Sequence, residues 1–433
     1  MAFYRNAGWS FKLDNKINPD GAIIVGSAVD YPSISRRKID KKFSYMKNRY
    51  FDPQLYMDKI DPHESPKPCA NLISYPWSKT KSVIEFDSDV FNQKEYKKDL
   101  LKRIIDIWNE KEPETEASIV DTVEKVINFQ IAIGCEGIIL PSPLTKDTSS
   151  DYSRELNWLD SGLTHIKKNG IKLPVFATLA ISDSCIRYSK THENNFLDMI
   201  TDTISSRKID GVYFIVEQMS EPVDTRYLGN FNAILSSLEL IHQFSVECRL
   251  KVIVNFFGPF GLVCSAVGAS IWASDWYKSL IRYRLADKIG EGRARPLFWS
   301  MPMASDINLK NDIDTIQRSG HFQEVYNETN ASKTLMLGLS SGKSVQDIPA
   351  WRYRISNNTA AMEHYRLSMI AANNELENSS FEKRLDTVQN WLSNASALVK
   401  KMEPILGDDS LTKTDHVAAW KDAFLAYRLS HNI

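Results

Sequence analysis

Several polar side chains follow apolar, strand-like segments, which is where an α/β barrel carries its chemistry. Asp275 comes after the run from Ser270 to Trp272, and Asp52 lies in an aromatic run that starts at Arg49. The polar residues in such positions are Asp52, Gln54, Ser142, Thr178, Glu217, Gln218, Asn255 and Asp275. Carboxylates that converge in one pocket can act as acids, bases or nucleophiles. A plainer interpretation of Asp275 is that it caps the next helix, because Asp is a good N-cap residue.

Aromatic residues accompany these polar groups along the chain. They are Tyr56, Phe256, Phe257, Trp272, Trp276 and Trp299. Flat apolar walls beside carboxylate and amide groups suit a planar heterocycle. The pattern therefore predicts a pocket for a small molecule with a planar heterocycle.

The strand-like segments alternate with helical ones at regular spacing. Eight of them begin at Gly21, Arg49, Glu136, Leu173, Gly211, Lys251, Ser270 and Arg295. Nearly continuous apolar strands joined by helices are typical of a parallel sheet that is covered on both faces. The sequence thus predicts a (β/α)8 TIM-type barrel over residues 1–345, with an open doubly wound sheet as the alternative. A further late strand candidate runs from Thr334 to Gly342.

The strands stop near Trp351, and the rest of the chain is patterned as amphipathic helices. These are predicted over Thr359 to Asn374, Phe381 to Met402 and His416 to Leu429. We expect residues 346–433 to form a C-terminal helical appendage that packs on the barrel.

Composition excludes several classes of protein. The formal net charge of −1 disfavours a chain that coats nucleic acid, although a local patch could still bind it. No apolar run is long enough to span a membrane and the start resembles no signal peptide, so we expect a cytoplasmic protein. The five cysteines and eight histidines are scattered singly, which predicts no metal site and no disulfide framework.

Two nucleotide-binding motifs can also be set aside. The segment GLSSGKS, from Gly338 to Ser344, has three residues between its glycines where a phosphate-binding loop has four. No dinucleotide fingerprint follows a strand. We therefore predict no cofactor.

The segment from Gly258 to Arg284, GPFGLVCSAVGASIWASDWYKSLIRYR, resembles tRNA-guanine transglycosylases. In that family a glycine-containing turn leads to a short helix and then to a strand that ends in a nucleophilic Asp. The resemblance implies that Asp275 is the nucleophile and that Asp52, in RYFDPQLY, recognises the base. It also implies a (β/α)8 barrel that exchanges guanine in nucleic acid for a 7-deazaguanine. The family's zinc site has no counterpart in this sequence, so the chain is most similar to divergent transglycosylase-like proteins of bacterial antiviral gene clusters.

Three functions are therefore open. In a transglycosylase, Asp275 would attack the anomeric carbon and split base exchange on nucleic acid into two steps, with Asp52 as the second catalytic residue. Its substrate-binding residues would be Gln54, Tyr56, Ser142, Glu217, Asn255, Trp272 and Trp276. The alternative is a non-catalytic component of a bacterial defence system that binds a nucleobase-like ligand or a partner protein. The third is a carbohydrate hydrolase with Glu217 and Asp275 as its acid pair.

Overall fold

The structure is a computed structural model, and it describes residues 1–8, 19–34, 48–78, 97–110, 114–146, 148, 152–191, 195–222, 225–285, 297–352 and 359–433. Within them, eight parallel strands form one sheet in the order β3-β2-β1-β8-β7-β6-β5-β4. The strands are β1 (Ala2–Ala7), β2 (Gly21–Val25), β3 (Asn48–Asp52), β4 (Ile138–Ile139), β5 (Val175–Ser182), β6 (Gly211–Glu217), β7 (Lys251–Asn255) and β8 (Ile271–Ser274).

The sheet curls until its two edge strands lie side by side. The backbone N–H of Glu136, just before β4, donates to the carbonyl oxygen of Arg49 in β3 at 3.0 Å. Helices surround the strands, so the predicted (β/α)8 TIM-type barrel is confirmed. All eight residues of β5 are buried, as expected when both faces of a parallel sheet are covered.

Helices fill the connections between the strands and the region after them. They are α1 (Pro66–Ile73), α2 (Lys97–Asn109), α3 (Glu116–Ala132), α4 (Ser153–Lys168), α5 (Asp183–Thr191), α6 (Phe196–Ser205), α7 (Phe231–His242), α8 (Gly261–Ala266), α9 (Lys278–Ile281), α10 (Asp312–Arg318), α11 (Phe322–Val325), α12 (Lys333–Ser340), α13 (Thr359–Glu377), α14 (Phe381–Leu406) and α15 (Asp415–Ser430). A capping box explains where α3 begins, because the side chains of Thr115 and Ser118 each accept a hydrogen bond from the other's backbone N–H.

Three predictions about strands were wrong. The first barrel strand is β1, which was not predicted because Arg5 and Asn6 interrupt its run of apolar residues. The segment that starts at Arg295 instead forms β9 (Leu297–Ser300), which pairs antiparallel with β10 (Ser305–Asn308) outside the barrel. The segment from Thr334 is the helix α12. The sequence pattern also predicts a short helix from Lys38 to Lys47, and these residues lie outside the described part of the chain.

The C-terminal helices pack against the outer side of the barrel. Tyr365 of α13 and Trp420 of α15 are fully buried in the same apolar cluster as Trp272 of β8. The helices predicted for this region are confirmed within a few residues at their ends. No helix in the described part of the chain is long and apolar enough to cross a membrane.

Candidate functional site at the mouth of the barrel

The carboxyl ends of the parallel strands meet at one mouth of the barrel. Asp52, Glu217 and Asn255 are the last residues of β3, β6 and β7, and Asp275 directly follows β8. The structure therefore places all four at the same end of the barrel. Their surroundings nevertheless differ, and they do not line one common pocket.

Asp52 lies inside the barrel in a closed hydrogen-bond network. Its Oδ2 accepts hydrogen bonds from the hydroxyls of Tyr56 at 2.5 Å and Tyr213 at 2.7 Å. The side chain of Asn255 donates to the same Tyr213 hydroxyl at 2.7 Å and accepts from Asn6 at 2.6 Å. Burial raises the pKa of Asp52 to about 7, although the two tyrosine hydroxyls and the backbone N–H of Gln54 oppose this shift.

The segment after β8 covers this network. The ring of Tyr283 packs edge-on against Tyr56, with centroids 4.9 Å apart, and its hydroxyl donates to the carbonyl oxygen of Tyr56 at 3.0 Å. The backbone N–H of Gln218 donates to the carbonyl oxygen of Tyr283 at 2.9 Å, which fixes the segment to the end of β6. Asp52 and Asn255 therefore have no exposed surface, and they stabilise the barrel interior.

Asp275 lies on the outer side of β8, facing helix α13. Its Oδ2 accepts from Nε of Arg5 at 2.8 Å, and its Oδ1 accepts from Nη2 of Arg366 at 2.7 Å and from the backbone N–H of Trp276 at 2.6 Å. Burial alone would raise the pKa of Asp275, but the charges of Arg366 and Arg5 outweigh it and hold that pKa below its ordinary value. The carboxylate is fully buried, and it ties β1, β8 and α13 together.

The remaining predicted binding residues are spread over the molecule. Trp272 faces the outer helices, where its Nε1 donates to Oδ1 of Asn373 at 2.9 Å. Trp276 is buried beneath the guanidinium of Arg226, 5.9 Å from the ring centroid. Ser142 donates to the carbonyl oxygen of Pro143 at 3.2 Å. Gln54, by contrast, lies at the mouth and accepts from the backbone N–H of Ser27 at 2.7 Å.

Glu217 lies at the mouth with its side chain 1% exposed. Its Oε2 is 3.9 Å from Nζ of Lys146, while its Oε1 has no hydrogen-bond partner among the described residues. Burial raises the pKa of this carboxyl, with Lys146 acting in the opposite direction and Asp183 reinforcing the shift. Such a group is a candidate for proton transfer or for accepting hydrogen bonds from a ligand.

A narrow cavity opens beside Tyr283 at the mouth. Its enclosed volume is about 20 Å³, which is room for roughly one water molecule, and it opens toward solvent. Its lining consists of Ser27, Gln54, Met57, Phe256, Ser279, Arg282, Tyr283 and Arg284. The guanidiniums of Arg282 and Arg284 give this cavity a cationic character.

The two arginines are held by backbone carbonyl groups of the loop after β6. Nη1 of Arg284 donates to the carbonyl oxygen of Glu221 at 2.7 Å, and Nη1 of Arg282 donates to that of Pro222 at 3.3 Å. Nε of Arg284 is buried and has no partner within the part of the chain that the structure describes. A buried donor without a partner is costly, so it marks a position where a ligand can supply an acceptor.

The backbone is strained at two positions in the lining of this cavity. Gln54 and Phe256 have φ of 53° and 64°, in the left-handed region that non-glycine residues seldom adopt. Such residues cluster at functional sites, where the surrounding structure holds them in place. Phe256 follows β7 directly and lines the cavity.

Neither arginine is among the site residues predicted from the sequence. The signal that could have found them is their alternation in Arg282-Tyr283-Arg284, which directs both toward one side of an extended segment after the last barrel strand. Barrels of this type frequently bind phosphate between the loops that follow strands seven and eight, which here are β7 and β8. Comparison with models of known protein families and with curated proteins found no match to this chain.

Proposed function

We propose that the barrel binds a small ligand through a phosphate-like anionic group in the mouth cavity, with Arg282 and Arg284 as the binding cations. The observation that carries this proposal is the buried Nε of Arg284, which has no partner among the described residues and lies in a cavity lined by residues that follow β2, β3, β7 and β8. A guanidinium binds phosphate or carboxylate with directional, charge-assisted hydrogen bonds.

The shape of the cavity indicates how such a ligand would lie. Its small enclosed volume admits only the tip of the anionic group, so the remainder of the ligand stays toward solvent. The rings of Phe256 and Tyr283, with centroids 6.1 Å apart, are only 1% and 4% exposed and form the apolar wall of the cavity beside the cations. A nucleotide whose phosphate reaches into the cavity suits this arrangement, and the resemblance to tRNA-guanine transglycosylases favours a nucleotide of the guanine or 7-deazaguanine type.

Binding is better supported than base exchange by Asp275. A nucleophilic carboxylate must reach an anomeric carbon, and this one is fully buried with both oxygens engaged by arginines. Attack would require α13 to withdraw Arg366 from β8. We therefore favour the non-catalytic alternative, in which the pocket recognises a nucleobase-like ligand.

Calorimetric titration of the purified protein with guanosine 5′-monophosphate and with guanosine tests the proposal. We expect the monophosphate to bind more tightly by roughly 10- to 100-fold, since one hydrogen bond to a charged group contributes about 1.5–3 kcal/mol. Inorganic phosphate should compete with the monophosphate. Arg284→Ala should reduce affinity for the monophosphate by a similar factor and leave the weak binding of guanosine unchanged.

The matched control is Arg318→Ala, which removes an arginine whose Nε donates only within its own exposed helix. This variant should bind like the parent protein. Equal affinity for guanosine and its monophosphate, or full retention of binding by Arg284→Ala, would refute the assignment of the cavity as an anion site.

A further inference from the structure

Two histidines and a glutamate converge on the outer helical layer of the barrel. They are His242 at the end of α7, Glu247 shortly after it, and His431 just beyond α15. One ligand atom from each lies within 4.8 Å of those of the other two. Since α7 runs back toward the start of β7, this cluster lies at the end of the barrel opposite the mouth.

A local change of helix type brings Glu247 to the same side as His242. Residues Gln243–Glu247 form a π-helix, and the backbone N–H of Cys248 donates to the carbonyl oxygen of Gln243 at 2.8 Å. In a continuous α-helix, residues five apart would point about 140° away from one another, because each residue turns about 100°. The wider π-turn reduces this angle, and π-bulges are often found at functional sites.

The C-terminal end of α15 supplies two of the groups at this cluster. His431 is the third candidate ligand, and Tyr427 orients His242. The rings of His242 and His431 lie with their centroids 4.1 Å apart. Nδ1 of His242 is 2.7 Å from the hydroxyl oxygen of Tyr427, which is fully buried. A histidine that binds a metal through one ring nitrogen usually donates a hydrogen bond from the other, which fixes its orientation. Tyr427 can accept that bond and so leave Nε2 of His242 for a metal.

We propose that His242, Glu247 and His431 bind a divalent transition metal ion, with Zn²⁺ as the best fit. Two imidazoles and one carboxylate form a ligand set that Zn²⁺ accepts in tetrahedral geometry, with a water molecule in the fourth position. His431 lies in the intermediate range of exposure and Glu247 is exposed, so the ion can enter from solvent. The bound ion would fasten the end of the last helix to α7 and is independent of the anion site at the mouth.

Titration with Co²⁺ tests the proposal, because four-coordinate Co²⁺ has a strong visible absorption band. Untagged protein should bind about one Co²⁺ per chain with this band, and Zn²⁺ should displace it. His431→Ala and Glu247→Gln change residues at the surface and should abolish the saturable band while the protein stays folded. Tyr427→Phe keeps the ring but removes the hydroxyl, and it should weaken binding by roughly 10- to 100-fold.

The control is His321→Ala, which removes a histidine from an exposed pair with Glu324, whose Oε1 is 2.7 Å from Nδ1 of His321. This variant should bind Co²⁺ like the parent protein. The proposal is overturned if the parent shows no saturable Co²⁺ binding, or if His431→Ala binds Co²⁺ as tightly as the parent does.

Discussion

Nη2 of Arg366 lies 2.7 Å from Oδ1 of Asp275 and joins helix α13 to the end of the eighth barrel strand. Both side chains are nearly inaccessible, with 4% and 0% exposed. A charge buried this deeply is tolerated only with its partner in place. The pair therefore makes docking of the C-terminal helices part of the stability of the barrel.

Replacing Arg366 by Ala should lower the free energy of unfolding by about 3–5 kcal/mol, because it leaves the carboxylate of Asp275 buried with one arginine fewer. Urea unfolding at pH 7, where Asp275 is ionised, measures this loss. Lys401→Ala is the control, since Lys401 pairs with Glu324 at 2.6 Å on an exposed surface. That variant should unfold at nearly the same urea concentration as the parent protein, because a solvent-exposed ion pair contributes little to stability. Equal losses in the two variants would contradict the structural role of the buried pair.

Asp52 should make stability depend on pH near neutrality. Its pKa is about 7 in the folded protein and near 3.8 when unfolded, so the folded state binds more protons between these values. This contribution to stability is present in full below about pH 4 and is lost as the pH rises through 7, at up to about 1.4 kcal/mol per pH unit. We expect the unfolding free energy of the parent, measured relative to that of Asp52→Asn, to fall as the pH rises from 5 to 8. Parallel curves for the two proteins would show that the carboxyl titrates normally.

A chain that ends at residue 345 should not fold cooperatively. Without α13–α15 it would expose the outer faces of β8 and α7, including Trp272, and would leave Asp275 without Arg366. Circular dichroism and urea unfolding of this fragment test the expectation. A single sharp unfolding transition in the fragment would show that the barrel is stable without its C-terminal helices.

The barrel was predictable where a strand is apolar throughout. Val175–Ser182 and Gly211–Glu217 are buried along their whole length, so composition alone identifies them. Short apolar segments were ambiguous, because nothing within Leu297–Ser300 or Lys333–Ser340 indicates whether the neighbour is a barrel strand, an antiparallel partner or a helix. Strand β1 was not predicted because the polar residues Arg5 and Asn6 interrupt its apolar pattern. Their hydrogen-bond partners lie far along the chain, near the end of the barrel sequence, so the sequence alone does not reveal them.

The candidate sites were predictable only in part. Sequence position placed Asp52, Glu217, Asn255 and Asp275 at one end of the barrel, but it could not show which way each side chain points. Asp275 faces the outer helices because Arg5 and Arg366 meet it there, and Arg366 is far away in sequence. For the same reason His242 and His431 looked unrelated until the fold brought their rings together.

A crystal structure of the protein with bound guanosine 5′-monophosphate tests the central claim most directly. We predict that a phosphate oxygen lies about 2.7–2.9 Å from Nε of Arg284, with the base outside the cavity, while the pair of Asp275 and Arg366 stays intact. A base or ribose bound against Asp275, with Arg366 displaced, would contradict the account and favour base exchange.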